Sequence, residues 1–169
     1  SIADRSVLVL RDTARRLPLR PAPGQRVAVI SPKPQKLDGA ADPIQSEDML
    51  IRAVRERFPE AEGLLTELVP TDDNIARARE LCARADLVIV GSINAINFAR
   101  QPELVAACLA SGKPSIVVAM ESPYDLSTYP DAQTCVATLG ASRAAMNSAV
   151  KVIVGELVPT GKLPVTLKL

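Results

Sequence analysis

The chain has 169 residues, of which 20 are basic and 19 acidic, and its charges are dispersed around a formal net charge of +1. This balance argues against nucleic acid or an anionic membrane as a partner. Histidine is absent and aromatic residues make up only 2% of the sequence, which excludes Ser-His-Asp and Cys-His catalysis and disfavours aromatic stacking platforms. The length fits one domain.

The three cysteines, Cys82, Cys108 and Cys135, are odd in number and far apart, and no CxxC motif occurs. This pattern predicts small buried hydrophobic side chains rather than a metal or redox site, and no cofactor is expected. No apolar run approaches the ~20 residues of a membrane span. The chain starts at Ser1 within what reads as structured sequence, so we expect it to be part of a longer protein. The sequence does not decide whether the longer protein is cytoplasmic or is secreted or held in the cell envelope, and reduced cysteines favour the cytoplasm.

Short apolar runs bounded by turn residues predict strands along the whole chain. Residues 1–24 are predicted to be a lead-in from a missing N-terminal domain, and residues 25–169 a single α/β domain. The lead-in contains the first of the predicted strands, which are 6–10, 26–30, 63–69, 86–91, 116–120, 133–139 and 163–167. Pro164 suggests an edge position for the last strand.

Helices are predicted between these strands, because cap residues precede apolar residues at helical spacing. They run from Ser46 to Phe58, from Thr71 to Ala85, from Pro102 to Leu109 and from Ser142 to Ile153. Alternation of strand and helix favours a three-layer α/β/α sandwich with a mostly parallel sheet of about six strands and one antiparallel edge strand.

The turns that would bind phosphate groups are missing. The strand ending at Ile30 is followed by Ser-Pro-Lys-Pro instead of a G-x-G-x-x-G turn, and prolines there remove backbone amides. Both Gly-Lys pairs, 112–113 and 161–162, lack the hydroxyl residue of a P-loop. A G-x-S-x-G elbow is also absent. The sequence therefore carries no motif for a nucleotide or for a serine nucleophile.

The strand 116–120 breaks into the polar stretch Glu121-Ser122-Pro123-Tyr124-Asp125. Ligands of parallel α/β sheets gather at the carboxyl ends of strands, so this stretch is the first candidate site. Glu121 and Asp125 could act together as acid and base, as paired carboxylates do in glycosidases. A structural turn is favoured instead, in which Ser122 and Asp125 bond nearby backbone amides and Tyr124 packs against the sheet edge.

Asn94 and Asn97 follow the strand 86–91 and could hydrogen-bond a ligand or simply form turns, and turns are favoured. No residue is assigned to catalysis or to a metal. The candidate rim of a substrate cleft or domain interface consists of Glu121, Ser122, Tyr124, Asp125, Asn94 and Asn97.

Several short motifs also follow one another in a recognisable order. They are 2–12 with Leu17-Pro18-Leu19, the strands 27–30 and 85–90, Gly112-Lys113-Pro114, Ser122-Pro123-Tyr124-Asp125 and 155–165. Together they resemble the C-terminal domain of glycoside hydrolase family 3, and the Ser-Pro-Tyr-Asp turn resembles its β-N-acetylhexosaminidase branch.

This resemblance implies a domain that packs against a (β/α)8 barrel, which carries the nucleophilic Asp and an Asp-His acid/base pair. The β-glucosidase branch places an acid/base Glu in the present domain, which leaves a role for Glu121 open. The expected function is a non-catalytic domain that supports the barrel and borders its carbohydrate cleft, inactive when isolated. The alternative is a free-standing small-ligand or nucleotide-binding α/β domain.

Overall fold

A computed structural model of the chain describes residues 1–20, 22–34 and 47–159. Its centre is a six-stranded sheet with the strand order β1-β6-β5-β4-β2-β3. Strands β2 to β6 are parallel, and β1 pairs antiparallel with β6 at one edge. The strands are β1 Leu8–Asp12, β2 Val27–Pro32, β3 Glu62–Thr66, β4 Leu87–Ser92, β5 Ser115–Ala119 and β6 Thr134–Ala137.

The predicted fold class is therefore confirmed, including one antiparallel edge strand. That edge strand is β1, which begins two residues later than the predicted strand 6–10. A register irregularity between Val9 and Arg11 marks it as the less regular edge of the sheet. The strand predicted at 163–167 lies outside the described residues.

Helices cover both faces of the sheet. The helices are α1 Ile2–Arg5, α2 Met49–Arg55, α3 Asp72–Arg84, α4 Gln101–Leu109 and α5 Arg143–Ile153, with a 3-10 helix at Pro123–Thr128. Two predicted caps are confirmed, because the Thr71 hydroxyl accepts from the amide of Asn74 and the Ser142 hydroxyl from that of Ala145. The predicted cap Ser46 lies outside the described residues.

Successive residues of each central strand enter two separate cores, as the period of two requires. Leu87 and Ile89 of β4 pack in the core that includes α2 and α5. Val88 and Val90 pack in the core that includes α3 and α4. Every residue of β4 is buried, which explains why its sequence is apolar on both faces.

All three cysteines are free and buried, which confirms that they are buried side chains. Cys82 of α3 and Cys108 of α4 belong to the same hydrophobic core. Burial raises the pKa of Cys135 to about 12, so its thiol stays protonated. Within the described ranges, no cluster of three acidic or cysteine side chains could hold a metal ion. None of the helices seen there is long and apolar enough to cross a membrane.

Candidate functional site

The loop after β5 lies at the carboxyl edge of the sheet, where the sequence places its candidate residues. Ser122 caps the 3-10 helix, because its hydroxyl accepts from the Tyr124 amide at 3.3 Å. Pro123 occupies the first turn, where the missing amide proton costs nothing. Pro123 and Asp125 are buried, whereas Glu121 and Tyr124 are exposed. The turn therefore has an inner and an outer side.

Asp125 lies on the inner side and is completely buried. One carboxylate oxygen accepts from the Ser92 hydroxyl at 2.7 Å, and the other from the Ala95 amide at 2.9 Å. Its partners thus belong to the end of β4 and to the loop that follows it rather than to its own turn. Burial raises the pKa of Asp125, and the hydrogen bonds from Ser92, Ala95 and Ile96 oppose that rise.

Tyr129 completes this buried polar cluster. Its hydroxyl is 3.0 Å from that of Ser92, and its side chain is 2% exposed. The sequence predicts instead that Tyr124 packs against the sheet edge, but Tyr124 is 45% exposed. The reason is the 3-10 helix, which directs Pro123, Asp125 and Leu126 inward and so leaves Tyr124 outside.

Gln101 fixes the loop after β4 from its other end, and sequence reasoning missed it. Its side chain is 1% exposed. The amide oxygen accepts from the Ile93 amide, and the amide nitrogen donates to the Ile93 and Leu68 carbonyls, all at 2.9 Å. Gln101 thereby joins the loops after β3 and β4. The sequence offers no local signal for this role, because the partners are 8 and 33 residues away.

Asn94 and Asn97 form a turn, which agrees with the favoured interpretation. The Asn97 side-chain amide donates to the Asn94 side-chain oxygen at 2.7 Å, and the Asn97 backbone amide donates to the Asn94 carbonyl. Asn94 has a positive φ of 51°. Asparagine tolerates this left-handed conformation better than most residues. Asn97 is exposed and Asn94 half-buried, so this turn presents amide groups at the carboxyl edge.

The same loop contains a second residue with positive φ, Arg100 at 71°. Its guanidinium pairs with Asp72 at 2.6 Å and with Glu103 at 3.0 Å. Buried polar anchors at both ends and two left-handed residues hold this loop in one conformation. Backbone strain of this kind costs about 1–3 kcal/mol per residue and persists only where the surroundings enforce it.

Apolar side chains also reach solvent at this edge. Val69, Ile96, Tyr124 and Leu139 follow four different strands, β3 to β6, and are between 45% and 60% exposed. We call these four residues the carboxyl-edge rim. They are four of the seven large hydrophobic side chains that are exposed among the described residues. All four therefore lie at the same edge of the sheet as the candidate turn.

The two candidate carboxylates lie in different environments. Asp125 is buried and both of its oxygens accept hydrogen bonds, so it cannot exchange protons with a substrate at the surface. Glu121 is exposed, and in the described part of the chain its side chain forms no hydrogen bond or ion pair. The geometry therefore assigns a structural role to Asp125, and it leaves Glu121 as an unpaired carboxylate among the described residues of this edge.

Comparison with sequence families matches residues 7–169 to the glycosyl hydrolase family 3 C-terminal domain. Comparison with curated protein sequences gives no match.

Solved structures share the fold. A fungal multi-domain family 3 β-N-acetylglucosaminidase is 23% identical, with a TM-score of 0.83, and the match covers 98% of this chain and 18% of that chain. The family 3 β-N-acetylglucosaminidase of Paenibacillus sp. str. FPU-7 is 22% identical, with a TM-score of 0.81 and coverages of 98% and 32%. A β-glucosidase from Erythrobacter marinus is 18% identical, with a TM-score of 0.72 and coverages of 98% and 29%. The present chain thus spans less than a third of the length of each of these proteins.

Proposed function

This chain belongs to the family of glycosyl hydrolase family 3 C-terminal domains, and we propose that it is the non-catalytic domain of a β-N-acetylglucosaminidase-like enzyme. In this proposal it supports a catalytic (β/α)8 barrel of the same polypeptide and borders the carbohydrate cleft. The barrel supplies the nucleophile and the acid/base pair. The isolated domain hydrolyses no glycoside.

The carboxyl-edge rim is the observation that carries this proposal. Its four apolar side chains come from four successive loops on one edge of the sheet, and the loop after β4, which carries Ile96, is held by buried hydrogen bonds. A rigid surface with apolar side chains suits a permanent domain interface, because docking buries those side chains at little entropic cost. The solved structures of similar fold are longer proteins, so a neighbouring domain is a reasonable occupant.

Polar groups beside the rim could border the cleft. Glu121 and Asn97 are exposed there, Ser122 is half-exposed, and the aromatic ring of Tyr124 lies on the outer side of the turn. Amide and carboxylate groups beside an aromatic face can hydrogen-bond and pack against a sugar ring. In this proposal these residues contact substrate bound in the barrel, and Asp125 supports them from below.

Substitutions in the rim test the proposed interface. In the parent enzyme, the double variant Ile96→Asp and Leu139→Asp should lower the free energy of unfolding by about 2 kcal/mol or more, because two apolar contacts become unpaired charges. In the isolated chain, the same variant should change it by less than about 0.5 kcal/mol. Val158→Asp is the control, because Val158 is exposed outside the rim. Equal effects in parent and isolated chain would overturn the interface.

An activity assay tests the proposal that this domain is not catalytic by itself. Parent and isolated chain are compared on a chromogenic N-acetylglucosaminide, and only the parent should turn over substrate. Turnover by the isolated chain would contradict the non-catalytic role. Nucleotide binding that shifts the NMR signals of Asn94 and Asn97 would favour the free-standing ligand-binding domain instead.

A further inference from the structure

A cavity of ≈ 310 Å³ lies at the amino edge of the sheet, on the side opposite the carboxyl-edge rim. The last turns of α4, including Leu109, form an apolar wall. Ser115 at the start of β5 and Gln133 just before β6 line the cavity, with Asp131 beside them. The turn after β1 contributes Arg16. A volume of this size is at the lower end of small-molecule sites, about 300–1,000 Å³, and suits a ligand with a single ring.

Arg16 is the unusual member of this lining. Its Nε is the one buried side-chain nitrogen or oxygen, within the ranges that the structure describes, that has no hydrogen-bond partner. Those ranges also contain no carboxylate within ion-pair distance of its guanidinium. A buried N–H group without an acceptor is costly, and a guanidinium is best satisfied by two oxygens of one carboxylate or phosphate.

The nearby carboxylate of Asp12 is already occupied. One of its oxygens accepts from the Arg16 amide at 2.9 Å and from the Thr134 hydroxyl at 3.0 Å, and the other accepts from the Leu17 amide at 3.1 Å. Asp12 therefore fixes the backbone of Arg16 without pairing with its guanidinium. A side chain that extends from a fixed backbone has fewer conformations to lose when a ligand binds.

The groups around Arg16 define what else the ligand carries. Asp131 and the side chain of Gln133 are exposed and form no side-chain hydrogen bonds or ion pairs within the described residues, so they can bind hydroxyl groups. The segment that carries them is held in place, because Arg11 donates to the Pro130 and Ala132 carbonyls at 2.9 Å. We propose that this cavity binds a small polyhydroxylated oxyanion, such as a sugar acid or sugar phosphate, through Arg16. This site is independent of the proposed domain interface.

Titration of the isolated chain with three matched sugars tests the proposal. Glucuronate carries a carboxylate, glucose 6-phosphate a phosphate, and glucose neither, and binding is followed by calorimetry and by NMR signals of Ser115 and Gln133. At least one charged sugar should bind about tenfold or more tightly than glucose, because a charge-assisted pair is worth this much. Which of the two binds identifies the source of the oxyanion. Equal binding of all three, or binding of none, would overturn the site.

Two arginine variants isolate the contribution of Arg16. Arg16→Gln should weaken binding of the charged sugar by about tenfold or more, and Arg16→Lys should weaken it less, because lysine keeps the charge but loses the planar fork. Arg15→Gln is the matched control, because Arg15 is the exposed neighbour and its loss changes the net charge equally. Unchanged binding by Arg16→Gln, or an equal loss in Arg15→Gln, would contradict the proposal.

Thermal unfolding gives a second measurement of the same site. Without ligand, Arg16→Gln should unfold at a temperature no lower than the wild type, because its Nε has no partner to lose. With the charged sugar, the wild type and Arg15→Gln should gain more thermal stability than Arg16→Gln. If Arg16→Gln does not fold, Arg16→Lys and Asp131→Asn still test the site, since both should weaken binding of the charged sugar or of its hydroxyl groups. Wild-type affinity in both variants would overturn the proposal.

Discussion

The carboxylate of Asp125 lies 2.7 Å from the hydroxyl of Ser92 and thereby joins the loop after β5 to the end of β4. The second oxygen of Asp125 accepts from the Ala95 amide. Ile96 and Tyr124, which adjoin Ala95 and Asp125 in the sequence, are exposed. Two of the four rim residues therefore flank a buried polar contact between residues 33 positions apart in the chain.

Removal of the Asp125 side chain should destabilise the fold strongly. Asp125→Ala leaves the Ser92 hydroxyl and the Ala95 amide without an acceptor, and we expect a loss of about 3 kcal/mol in the free energy of unfolding. Asp125→Asn keeps the shape and one acceptor oxygen, so it should lower the free energy of unfolding by only about 1 kcal/mol. Urea unfolding followed by circular dichroism measures both.

Glu121→Gln is the control, because Glu121 is an exposed carboxylate at the same edge. It should change stability by less than about 0.5 kcal/mol. A cost for Glu121→Gln as large as that for Asp125→Asn would show that surface charge, rather than the buried contact, stabilises this edge.

The same carboxylate gives a pH dependence with a defined sign. Burial raises the pKa of Asp125 above its ordinary value of 3.8, so the folded protein binds this proton more tightly than the unfolded chain. The group therefore stabilises the fold fully below pH 3.8 and loses that contribution as pH rises through the raised pKa. The cost of Asp125→Asn should accordingly shrink as pH rises from 3.8 through this window. Urea unfolding of both proteins at stepped pH measures it, and a cost that grows with pH would contradict the assignment.

Gln101 should be as sensitive as Asp125, although it is neutral. Gln101→Ala leaves the Ile93 amide and two carbonyls without their side-chain partner, which should cost about 2–4 kcal/mol. Gln101→Glu has nearly the same shape but replaces the donating nitrogen with an oxygen that faces the Leu68 and Ile93 carbonyls. Its cost at neutral pH should be at least as large, because a charge is buried against acceptors.

Chemical denaturation of the two Gln101 variants is compared with that of Glu103→Gln on the same helix. Glu103 pairs with Arg100 at the surface, so its loss should cost no more than about 1 kcal/mol. A Gln101→Glu variant as stable as the wild type would mean that the nitrogen makes no useful hydrogen bonds.

The elements of this fold could be predicted from local patterns, whereas the contacts that hold the carboxyl edge could not. Buried strands such as β4 follow from continuous apolar runs, and the Thr71 and Ser142 caps follow from residue type at a helix start. The partners of Asp125 and Gln101 lie in other loops, and no spacing rule connects them. Tertiary contacts of this kind decide which polar residue of a turn points inward.

In the candidate site too, some features could be predicted from the sequence and others could not. The position of the Ser122 to Asp125 turn at a strand end could be predicted, and so could the turn formed by Asn94 and Asn97. The burial of Tyr129 in place of Tyr124 could not, because it depends on the 3-10 helix that contains Tyr124 and ends just before Tyr129. The unpaired Nε of Arg16 could not be predicted either, because arginine is usually solvated and only the packing shows that this atom is buried.

Two glycines that follow helices allow the cost of a left-handed backbone to be distinguished from the cost of a steric collision. Gly112 after α4 and Gly155 after α5 have φ values of +72° and +81°. A Cβ on Gly112 would meet nothing within 4 Å, whereas one on Gly155 would lie 2.7 Å from the Cβ of Pro18. Gly112→Ala should therefore cost about 1 kcal/mol from the left-handed conformation alone, and Gly155→Ala about 3 kcal/mol because the collision adds to it.

Pro18 cannot easily move away from Gly155, because the next residue, Leu19, donates its amide to the Ile153 carbonyl at 2.7 Å at the end of α5. The segment before β2 is thus fixed against the last turn of α5, and Gly155 is the residue that permits the close approach. Urea unfolding of Gly155→Ala, Gly112→Ala and the double variant measures the difference, and the two costs should add because the sites share no contacts. Equal costs for the two single variants would show that Pro18 yields, and that the segment is held less firmly than its hydrogen bond to Ile153 indicates.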